Sequence, residues 1–373
     1  MKIAVVKGDG TGPEVINEAI KVLNVATQRY EIPFSYQELD FSANRYLDTG
    51  QILSDDELDQ LRQYDAILLG AIGDPRVPPG VLEKGILLKL RFELDQYINL
   101  RPVKLYPNVQ TPLHNIQPED IDYVVVRENT GGLYTGQGGF SEKNTPNEVA
   151  TQEMIYSYEQ VKRCLVYAYD MVLKRHAQQP WHGLSEAEKE QGYMGKLTLC
   201  GKTNVLTYVY DLWQRVLDEL KDIYPQVLVD YVHVDAACIY MIECPQRFDV
   251  IVTGNMFGDI ITDLAAVTQG GMGLAASGNI NPNSVSMFEP IGGTAPQFTG
   301  LDQINPLAAI SASHLLLDHL GYDQAALAIE EGKMAAIQQM TGMQAGKMGM
   351  GTTQVGDIVA NAVAHPSISE QTA

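Results

Sequence analysis

The sequence predicts an α/β protein with a largely parallel sheet covered by helices, and three observations lead to this prediction. Short runs rich in Val, Ile and Leu alternate with segments of helix length along the chain. Runs such as YDAILLGAIG (64–73) are apolar after Asp65, which is typical of parallel strands buried on both faces. The chain has 373 residues, 45% of them hydrophobic, which suits two domains with sizeable cores.

The individual elements follow in order. KIAVV (2–6) predicts a strand, and PEVINEAIKVLNVATQRY (13–30) predicts a helix because its apolar residues recur at helical spacing. DYVVVREN (122–129), KLTLCGKTN (196–204) and FDVIVT (248–253) predict further buried strands. Strands that alternate with helices in this way indicate repeated βαβ units.

Three segments fall outside this pattern. Residues 131–150 are rich in Gly, Asn and Thr, and we expect an extended arm there instead of core. Residues 175–195 are polar and predict a surface excursion. The ending HPSISEQTA (365–373) predicts a frayed terminus.

The overall charge limits the classes of function. The formal net charge is −20, which disfavours a nucleic-acid role that depends on a general positive field, so an anionic substrate would need a local cluster of Arg or Lys. No apolar run is long enough to span a bilayer, and the first residues lack the pattern of a signal peptide. Cys164, Cys200, Cys238 and Cys244 show no CxxC spacing, and we expect buried thiols in a reducing, cytoplasmic compartment.

Two aspartates in GNMFGDIITDL (254–264) give the first indication of chemistry. Asp259 and Asp263 are four residues apart, so a helix would place both carboxylates on one face, where like charges repel. A solvated helix face is the simpler explanation of such a pair. The preceding strand and the charge-free segment 264–278, however, place the pair at a strand end, where open α/β folds bind ligands. The pair therefore favours a hard divalent cation, Mg²⁺ or Mn²⁺.

A glycine-rich turn, GDGTGPE (8–14), lies between the first strand and the first helix. Its spacing is G-x-G-x-G, which differs from the G-x-G-x-x-G fingerprint of dinucleotide-binding folds. Pro13 suits the first turn of a helix. A tight turn is the expected role, with a phosphate or cofactor contact as the alternative.

Basic residues beside apolar runs form the next group. Arg91, Arg101 and Arg127 in so acidic a chain favour a clamp on substrate carboxylates, the alternative being pairing with protein carboxylates. Tyr134 and Lys202 could relay a proton together. For the tyrosine alone packing is the alternative, and for the lysine alone an internal salt bridge.

One further carboxylate, Asp235, enters an apolar stretch, where an internal salt bridge is again the alternative. With it the set comprises three arginines, a tyrosine, a lysine and three aspartates. Oxidative decarboxylation of a β-carboxylated 2-hydroxy acid requires such a set. Arginines would hold the carboxylates, with the C1 carboxylate and C2 hydroxyl chelated to the metal, and hydride would leave C2 for a nicotinamide. After CO₂ departs, the Tyr134–Lys202 pair would protonate the carbon.

Ordered motifs over residues 1–363 carry a family resemblance. They are GDGTGPE, LLGAIGDP, LLKLRFELDQYINLRP, VVVRENTGGLYTG, GKTNVL, HVDAA, NMFGDIITDLAA, FEPIGGTAP and INPLAAI. On these motifs the chain resembles the isocitrate/isopropylmalate dehydrogenases, a family of β-decarboxylating dehydrogenases. The resemblance implies an α/β, two-domain, doubly wound fold of the isopropylmalate-dehydrogenase type, which is not a Rossmann fold.

The resemblance also implies how the domains divide the work. Residues 1–96 and 270–373 would form the cofactor-side domain. Residues 97–269 would form the substrate, metal and dimerisation domain, with the arm 131–150 extended as β structure at the dimer interface.

The same resemblance implies a site shared by two subunits. Asp259 and Asp263 would hold Mg²⁺ or Mn²⁺ together with Asp235 of a second subunit, and Asp235 would also face the substrate. Lys202 would cross to the partner's site, so we expect at least a homodimer. The residues implied for the nicotinamide cofactor are Gly293, Thr294, Ala295, Gln297, Asn305 and Asn204.

Substrate choice within the family depends on the segment before Arg91. Isocitrate-using relatives carry Ser and Asn where this chain has Gly85 and Leu87. A wall of Ile86, Leu87 and Leu88 would leave a third carboxylate unpaired, at a cost on the order of several kcal/mol. The same wall would accept the isopropyl group of 3-isopropylmalate, at roughly 0.8 kcal/mol per buried CH₂. A larger apolar substituent, as in 3-benzylmalate, is the alternative.

Three positions depart from the family pattern. Gly292 replaces the usual His, Gln297 replaces the Asp of NAD-dependent members, and Gly254 replaces the usual acidic residue before NMFGD. Gln297 can bond a ribose hydroxyl, and the Lys-Tyr pair of NADP-dependent relatives is absent because Phe298 follows. We expect NAD, with NADP as the alternative. A non-catalytic regulatory subunit is disfavoured because the whole catalytic set is present.

Overall fold

The structure is a computed structural model that describes residues 1–366. The predicted fraying of the C-terminus falls on 367–373, outside the described residues, apart from His365 and Pro366. The chain divides into two compact units. Unit 1 contains residues 1–96, 104–114 and the chain from 266 onward, and unit 2 contains the rest.

The boundaries differ in two places from those expected from the sequence. Residues 104–114 and 266–269 were expected in the second domain, and the structure groups both with unit 1. The first of these segments follows strand β4, and its Lys104 amide donates to the side chain of Gln269 at 2.8 Å. Local contacts thus join the two reassigned segments to each other.

Strands and helices alternate along most of the chain. The strands are β1 (Lys2–Gly8), β2 (Ser35–Glu38), β3 (Ala66–Ala71), β4 (Ile98–Lys104), β5 (Asp122–Glu128), β6 (Gly138–Ser141), β7 (Val149–Gln152), β8 (Gly195–Gly201), β9 (Val227–His233), β10 (Val250–Thr253), β11 (Ala276–Ile280) and β12 (Ser286–Pro290). The α-helices are α1 (Gly12–Arg29), α2 (Ala43–Thr49), α3 (Asp55–Leu61), α4 (Lys89–Glu93), α5 (Tyr158–Arg175), α6 (Glu186–Glu190), α7 (Thr207–Lys221), α8 (Val234–Glu243), α9 (Asn255–Thr268), α10 (Leu307–His319), α11 (Asp323–Ile337) and α12 (Thr352–Ala364). The predicted strands and helices are confirmed, with ends shifted by a few residues.

Unit 1 has the strand order β2–β1–β3–β12–β11. β1 is parallel to β2 and β3, β12 is parallel to β3, and β11 alone runs antiparallel to its neighbour β12. Helices α1, α10, α11 and α12 pack together. α1 and α12 are amphipathic, whereas α10 is buried on nearly every side. A π-helical turn, Glu83–Leu88, leads directly into α4.

Unit 2 has the strand order β4–β5–β10–β8–β9, with β5, β10, β8 and β9 all parallel. β5 is buried from Tyr123 to Glu128. Its apolar run, residues 123–126, matches this burial, and the charged Arg127 and Glu128 are buried as well. Helices α5 and α7 cover the sheet through buried aliphatic and aromatic side chains such as Leu165 and Trp213. The central strands of this unit are therefore well shielded from solvent.

The arm expected near 131–150 is a two-stranded antiparallel ribbon. β6 pairs with β7 in the register Gly138 to Gln152, and every residue of both strands is exposed. An exposed ribbon of this kind is marginally stable by itself.

The excursion at 175–195 is not purely a surface loop. Trp181 and Leu184 are 3% and 4% exposed. At its start, Arg175 and His176 both bond the fully buried carboxylate of Asp249. The polar composition of the segment concealed these anchors.

The thiols and the helices complete the description. Cys164 and Cys200 are buried as expected, whereas Cys238 and Cys244 are half-buried, and all four are free. Within residues 1–366, no helix combines the length and apolar character that crossing a membrane requires.

Candidate active site

One cluster of charged side chains joins β5 to α9 in unit 2. Arg127 lies near the end of β5 and is only 1% exposed. Its Nη1 donates to Asp259 Oδ1 at 2.6 Å, and the Tyr134 hydroxyl donates to Asp259 Oδ2 at 2.7 Å. Gly258 makes room for this contact, because a Cβ there would lie 2.4 Å from Cγ of Arg127. The strand, the turn after it and the helix therefore meet at one carboxylate.

Asp259 is held in its ionised form. Burial alone raises the pKa of this carboxyl, but the charge of Arg127 and hydrogen bonds from Tyr134 and Arg127 outweigh burial and hold the pKa below its ordinary value. The charge of Arg101 acts in the same direction. Arg101 is 8% exposed on β4, and its Nε donates to Asn99 Oδ1 at 2.7 Å. Two of the three predicted arginines thus act electrostatically on one carboxylate.

The other two predicted carboxylates of unit 2 occupy different positions. Asp263 is exposed one turn further along α9. Asp235 lies in the first turn of α8, and its Oδ1 accepts a hydrogen bond of 2.6 Å from Lys202 Nζ, which lowers the pKa of Asp235. Throughout residues 1–366, no three or more Asp, Glu, His or Cys side chains are grouped to hold a metal ion. One chain therefore does not bring Asp235 together with Asp259 and Asp263.

Arg91 is the predicted arginine that lies in unit 1. Its Nη2 is 3.5 Å from Glu289 Oε1, and both side chains are almost buried. Asn279 donates to the same oxygen at the shorter distance of 2.7 Å. Within the part of the chain that the structure describes, Arg91 Nε is buried and has no hydrogen-bond partner. A bound carboxylate would satisfy this donor, which is costly to leave unpaired.

Unit 1 also contains a cavity of about 280 Å³. Three residues expected at the cofactor, Gly293, Ala295 and Asn305, line this cavity. Asn305 Nδ2 donates to the carbonyl of Met343 at 2.9 Å, and its Oδ1 accepts from the amide of Leu307 at 3.0 Å. Asn305 therefore holds two walls of the cavity together and keeps one N–H and one lone pair for a ligand.

The glycine-rich turn between β1 and α1 packs on the same loop. Gly10 has φ +58°, and a Cβ there would lie 2.1 Å from the carbonyl oxygen of Thr294. Thr11 donates to that oxygen through its amide at 2.8 Å and also lines the cavity. The turn is tight, as expected, and Thr11 contributes to the wall of the cavity.

Comparison with known proteins agrees with this geometry. The model of the family "Isocitrate/isopropylmalate dehydrogenase" matches residues 2–359. The chain belongs to this family. It is 48% identical to the 3-isopropylmalate dehydrogenase of Thermobifida fusca, over 98% of both chains. It is also 48% identical to that of Nocardia farcinica, over 97% of this chain and all of the relative.

Two solved structures share the fold. The isocitrate dehydrogenase of Methylococcus capsulatus superposes with a TM-score of 0.82 at 29% identity, covering 97% of this chain and 99% of that one. The TT0538 protein of Thermus thermophilus gives 0.80 at 27% identity and covers all of this chain and 70% of its own. The predicted fold class, a doubly wound α/β fold of the isopropylmalate-dehydrogenase type, is thereby confirmed.

Not all residues expected at the cofactor line the cavity of this family member. The carbonyl of Thr294 is occupied by Thr11, Gln297 is exposed in a short 3₁₀ turn, and Asn204 is exposed in unit 2. The cavity instead draws on two segments that were not predicted, 270–273 and 343–345. Residues 270–273 lie in the charge-free, glycine-rich stretch after α9, and this composition could have indicated a binding segment. Nothing in the sequence of residues 343–345 indicated a role in the cavity.

The expected apolar wall before Arg91 needs a correction. Ile86 is 1% exposed and packs in the hydrophobic core of unit 1, so it adds no accessible apolar surface to the wall. Leu87 and Leu88 are half-buried on the π-helical turn and retain accessible surface. At Gly85 a Cβ would lie 2.7 Å from Cγ2 of Ile52. Close packing on Ile52 thus disfavours the serine that isocitrate-using relatives carry at this position.

Two departures from the family pattern have local explanations. A Cβ at Gly292 would contact nothing within 4 Å, so the glycine leaves open space in the cavity wall. At Gly254 a Cβ would lie 2.8 Å from the hydroxyl of Tyr156, so the glycine accommodates that hydroxyl.

Proposed function

We propose that the chain catalyses the oxidative decarboxylation of (2R,3S)-3-isopropylmalate to 2-oxo-4-methylpentanoate with reduction of NAD, a step of leucine biosynthesis in the cytoplasm. The observation that carries the proposal is the ionised Asp259, held by Arg127 and Tyr134, in a chain whose relatives are named 3-isopropylmalate dehydrogenases. The match to these relatives, which covers 97–98% of this chain, supports the activity.

The carboxylates fit a hard divalent cation. Asp259 and Asp263 offer oxygen donors one turn apart on α9, and Asp259 is ionised through Arg127. We propose that they hold Mg²⁺ or Mn²⁺ with Asp235 of a second subunit. When bound, such a cation lowers the pKa of a coordinated hydroxyl and stabilises negative charge on oxygen.

A homodimer is proposed because one chain leaves the site incomplete. Asp235 is paired with Lys202 and is not grouped with the carboxylates of α9. The first turn of α8 carries Asp235, and the loop directly after β8 carries Lys202. These two segments present the residues as a pair, so a partner's site could receive both together. The exposed ribbon of β6 and β7 supplies backbone edges through which two copies could associate.

The side chains of the site have distinct tasks in the proposed reaction. The guanidinium groups of Arg91, Arg101 and Arg127 would hold the two substrate carboxylates. A bound nicotinamide would accept hydride from C2 while the hydroxyl proton is released to water. The C3 carboxylate would then leave as CO₂, with its electron pair remaining on the substrate. Tyr134 would donate its hydroxyl proton to that carbon, and Lys202 of a second subunit would restore the proton to the phenolate oxygen.

The apolar surfaces indicate where the cofactor and the apolar group of the substrate would bind. The glycine- and alanine-lined cavity of unit 1 fits an adenosine, and Asn305 keeps hydrogen-bonding capacity for its base. Exposed Gln297 can accept from or donate to ribose hydroxyls, and we propose NAD over NADP. The accessible faces of Leu87 and Leu88 would cover the isopropyl group.

A substrate panel tests the proposal. Purified protein with Mg²⁺ would be assayed with 3-isopropylmalate, 3-benzylmalate and isocitrate, each with NAD and with NADP. The proposal expects the highest kcat/KM for 3-isopropylmalate with NAD, and loss of turnover after removal of divalent cations by a chelator. A preference for 3-benzylmalate or isocitrate would overturn the proposed substrate assignment. Full activity after chelation would overturn the proposed metal requirement.

A further inference from the structure

Tyr156 is a polar side chain beside the candidate site for which the proposed reaction has no task. It lies between the end of β7 and the start of α5, and its ring packs edge-on to Trp213 with 5.6 Å between the ring centroids. Its ring and hydroxyl fill the space left by three glycines. A Cβ at Gly131, Gly132 or Gly254 would lie 2.7, 2.4 or 2.8 Å from the nearest Tyr156 atom. The two loops that carry these glycines are thus fitted around this one side chain.

The hydroxyl of Tyr156 takes the place of a helix cap. Gly254 precedes α9, and its carbonyl accepts the hydrogen bond from the Gly258 amide, yet a glycine has no side chain to bond the free amides of the first turn. The amide of Asn255, which is 1% exposed, donates to Tyr156 Oη at 2.7 Å. Tyr156 therefore supplies, from a distant segment, an acceptor for the first amide of α9.

Asn255 transmits this contact to the charged cluster. Its Oδ1 accepts from Nε of Arg127 at 3.1 Å and from Nη2 at 2.8 Å, while its Nδ2 donates to the carbonyl of Gly131 at 3.1 Å. The third guanidinium nitrogen of Arg127 then reaches Asp259. One residue thus ties the start of α9 both to the arginine and to the turn that leads to Tyr134.

We infer that Tyr156 is a positioning residue that sets the start of α9 relative to β5 and the 129–135 turn, so that Arg127 and Tyr134 reach the two oxygens of Asp259. The inference rests on the proposed function for its catalytic meaning, because that function assigns tasks to these three residues. The contact itself, from Tyr156 through Asn255 to Arg127, is independent of that assignment.

The position of Tyr156 also connects the exposed ribbon to this cluster. Ile155 and Gly132 form a β-bridge in which the Gly132 amide donates to the Ile155 carbonyl at 2.8 Å. Tyr156 directly follows Ile155 in the chain, shortly after the end of β7. A displacement at the ribbon's base would therefore shift the hydroxyl that supports α9.

Tyr156→Phe tests the inference, because it removes the hydroxyl and keeps the ring. Tyr169→Phe is the matched control: Tyr169 is fully buried in α5, and its hydroxyl donates to the Leu217 carbonyl at 3.1 Å, away from Asp259. With 3-isopropylmalate and NAD, we expect kcat of Tyr156→Phe to fall at least tenfold while KM for NAD, whose proposed cavity lies in unit 1, changes less than twofold. In Tyr169→Phe both constants should stay within twofold of wild type.

Hydrogen exchange provides a second measurement that does not depend on turnover. Peptides covering the start of α9 are followed by mass spectrometry in the unliganded protein, and the amide protection there should fall at least tenfold in Tyr156→Phe but not in Tyr169→Phe. Unchanged protection, unchanged kcat, or equal losses of kcat in both variants would overturn the inference. If wild-type protein turns over no substrate, the proposed function fails, and the exchange result alone decides whether Tyr156 holds α9.

Discussion

Two regions of the molecule contain the same three chemical groups, a cation, a carboxylate and a phenol, in different surroundings. In unit 2, Asp259 accepts from Arg127 and Tyr134. In unit 1, Glu330 accepts from Lys333 Nζ at 2.6 Å and from the Tyr106 hydroxyl at 2.8 Å. In both clusters the pKa of the carboxyl is lowered although burial opposes this.

Exposure separates the two clusters. The side chain of Asp259 is 50% exposed although its partner Arg127 is buried, whereas the side chains of Glu330 and Lys333 are 10% and 2% exposed. A half-exposed ionised carboxylate can bind a ligand, and an enclosed one can only satisfy its neighbours. Accessibility, more than the identity of the three groups, therefore distinguishes a candidate site from a structural ion pair.

The largest expected effect is on turnover in the open cluster. Asp259→Asn removes an anionic oxygen ligand but keeps an acceptor for Arg127, so kcat should fall about 10³-fold, equivalent to about 4 kcal/mol of transition-state stabilisation. The free energy of unfolding should change by at most about 1 kcal/mol, since the carboxylate is half exposed. Steady-state kinetics with Mg²⁺ and urea unfolding measure the two quantities. Wild-type turnover would remove Asp259 from the site.

The closed cluster should show the opposite result. Glu330→Gln leaves the buried ammonium of Lys333 without its carboxylate, so the free energy of unfolding should fall by about 3 kcal/mol. Under conditions in which Glu330→Gln remains folded, its kcat should match that of wild type. A variant that loses turnover without losing stability would contradict the division between the clusters.

The closed cluster also has a definite dependence on pH. Burial raises the pKa of Glu330, but the charge of Lys333 and the hydrogen bond and charge of His314 hold it well below its ordinary value of 4.5. A depressed pKa stabilises the folded protein above pH 4.5, and this contribution is lost as pH falls from 4.5 towards the folded pKa. The stability difference between wild type and Glu330→Gln should therefore be constant near neutral pH and shrink in acid. Urea unfolding at about pH 7 and about pH 4 measures this difference in stability. A difference that grows in acid would contradict the prediction.

The smallest effects come from the two tyrosines. Tyr134→Phe should lower kcat about 10²-fold through loss of the acid, with little change in stability. Tyr106→Phe removes a buried hydroxyl that bonds both Glu330 and Lys333, so it should cost about 1 kcal/mol of stability and leave kcat unchanged. Kinetics and urea unfolding of both variants make the measurement. Equal behaviour of the two variants would show that exposure does not separate the clusters.

Much of the fold could be predicted because its signals are local. The unbroken apolar run of β5 and the helical spacing of α1 each report their own burial, and these elements are where the sequence places them. The ionic contact between Arg127 and Asp259 was less direct to predict, because only the parallel pairing of β5 with β10 brings the two together. The sequence placed Ile86 in the pocket wall, because an apolar residue gives the same sequence pattern in a core as in a pocket wall.

The alternation of strands and helices, the family motifs and the spacing of Asp259 and Asp263 could be read from the chain, since they depend on neighbouring residues. Three features arise only from packing between distant segments: Asp235 pairs with Lys202, residues 343–345 close a cavity with the first helix, and Tyr156 bonds the start of α9. The physical reason is that these contacts join segments tens to hundreds of residues apart. Such contacts depend on the space that packing leaves, which no local pattern encodes.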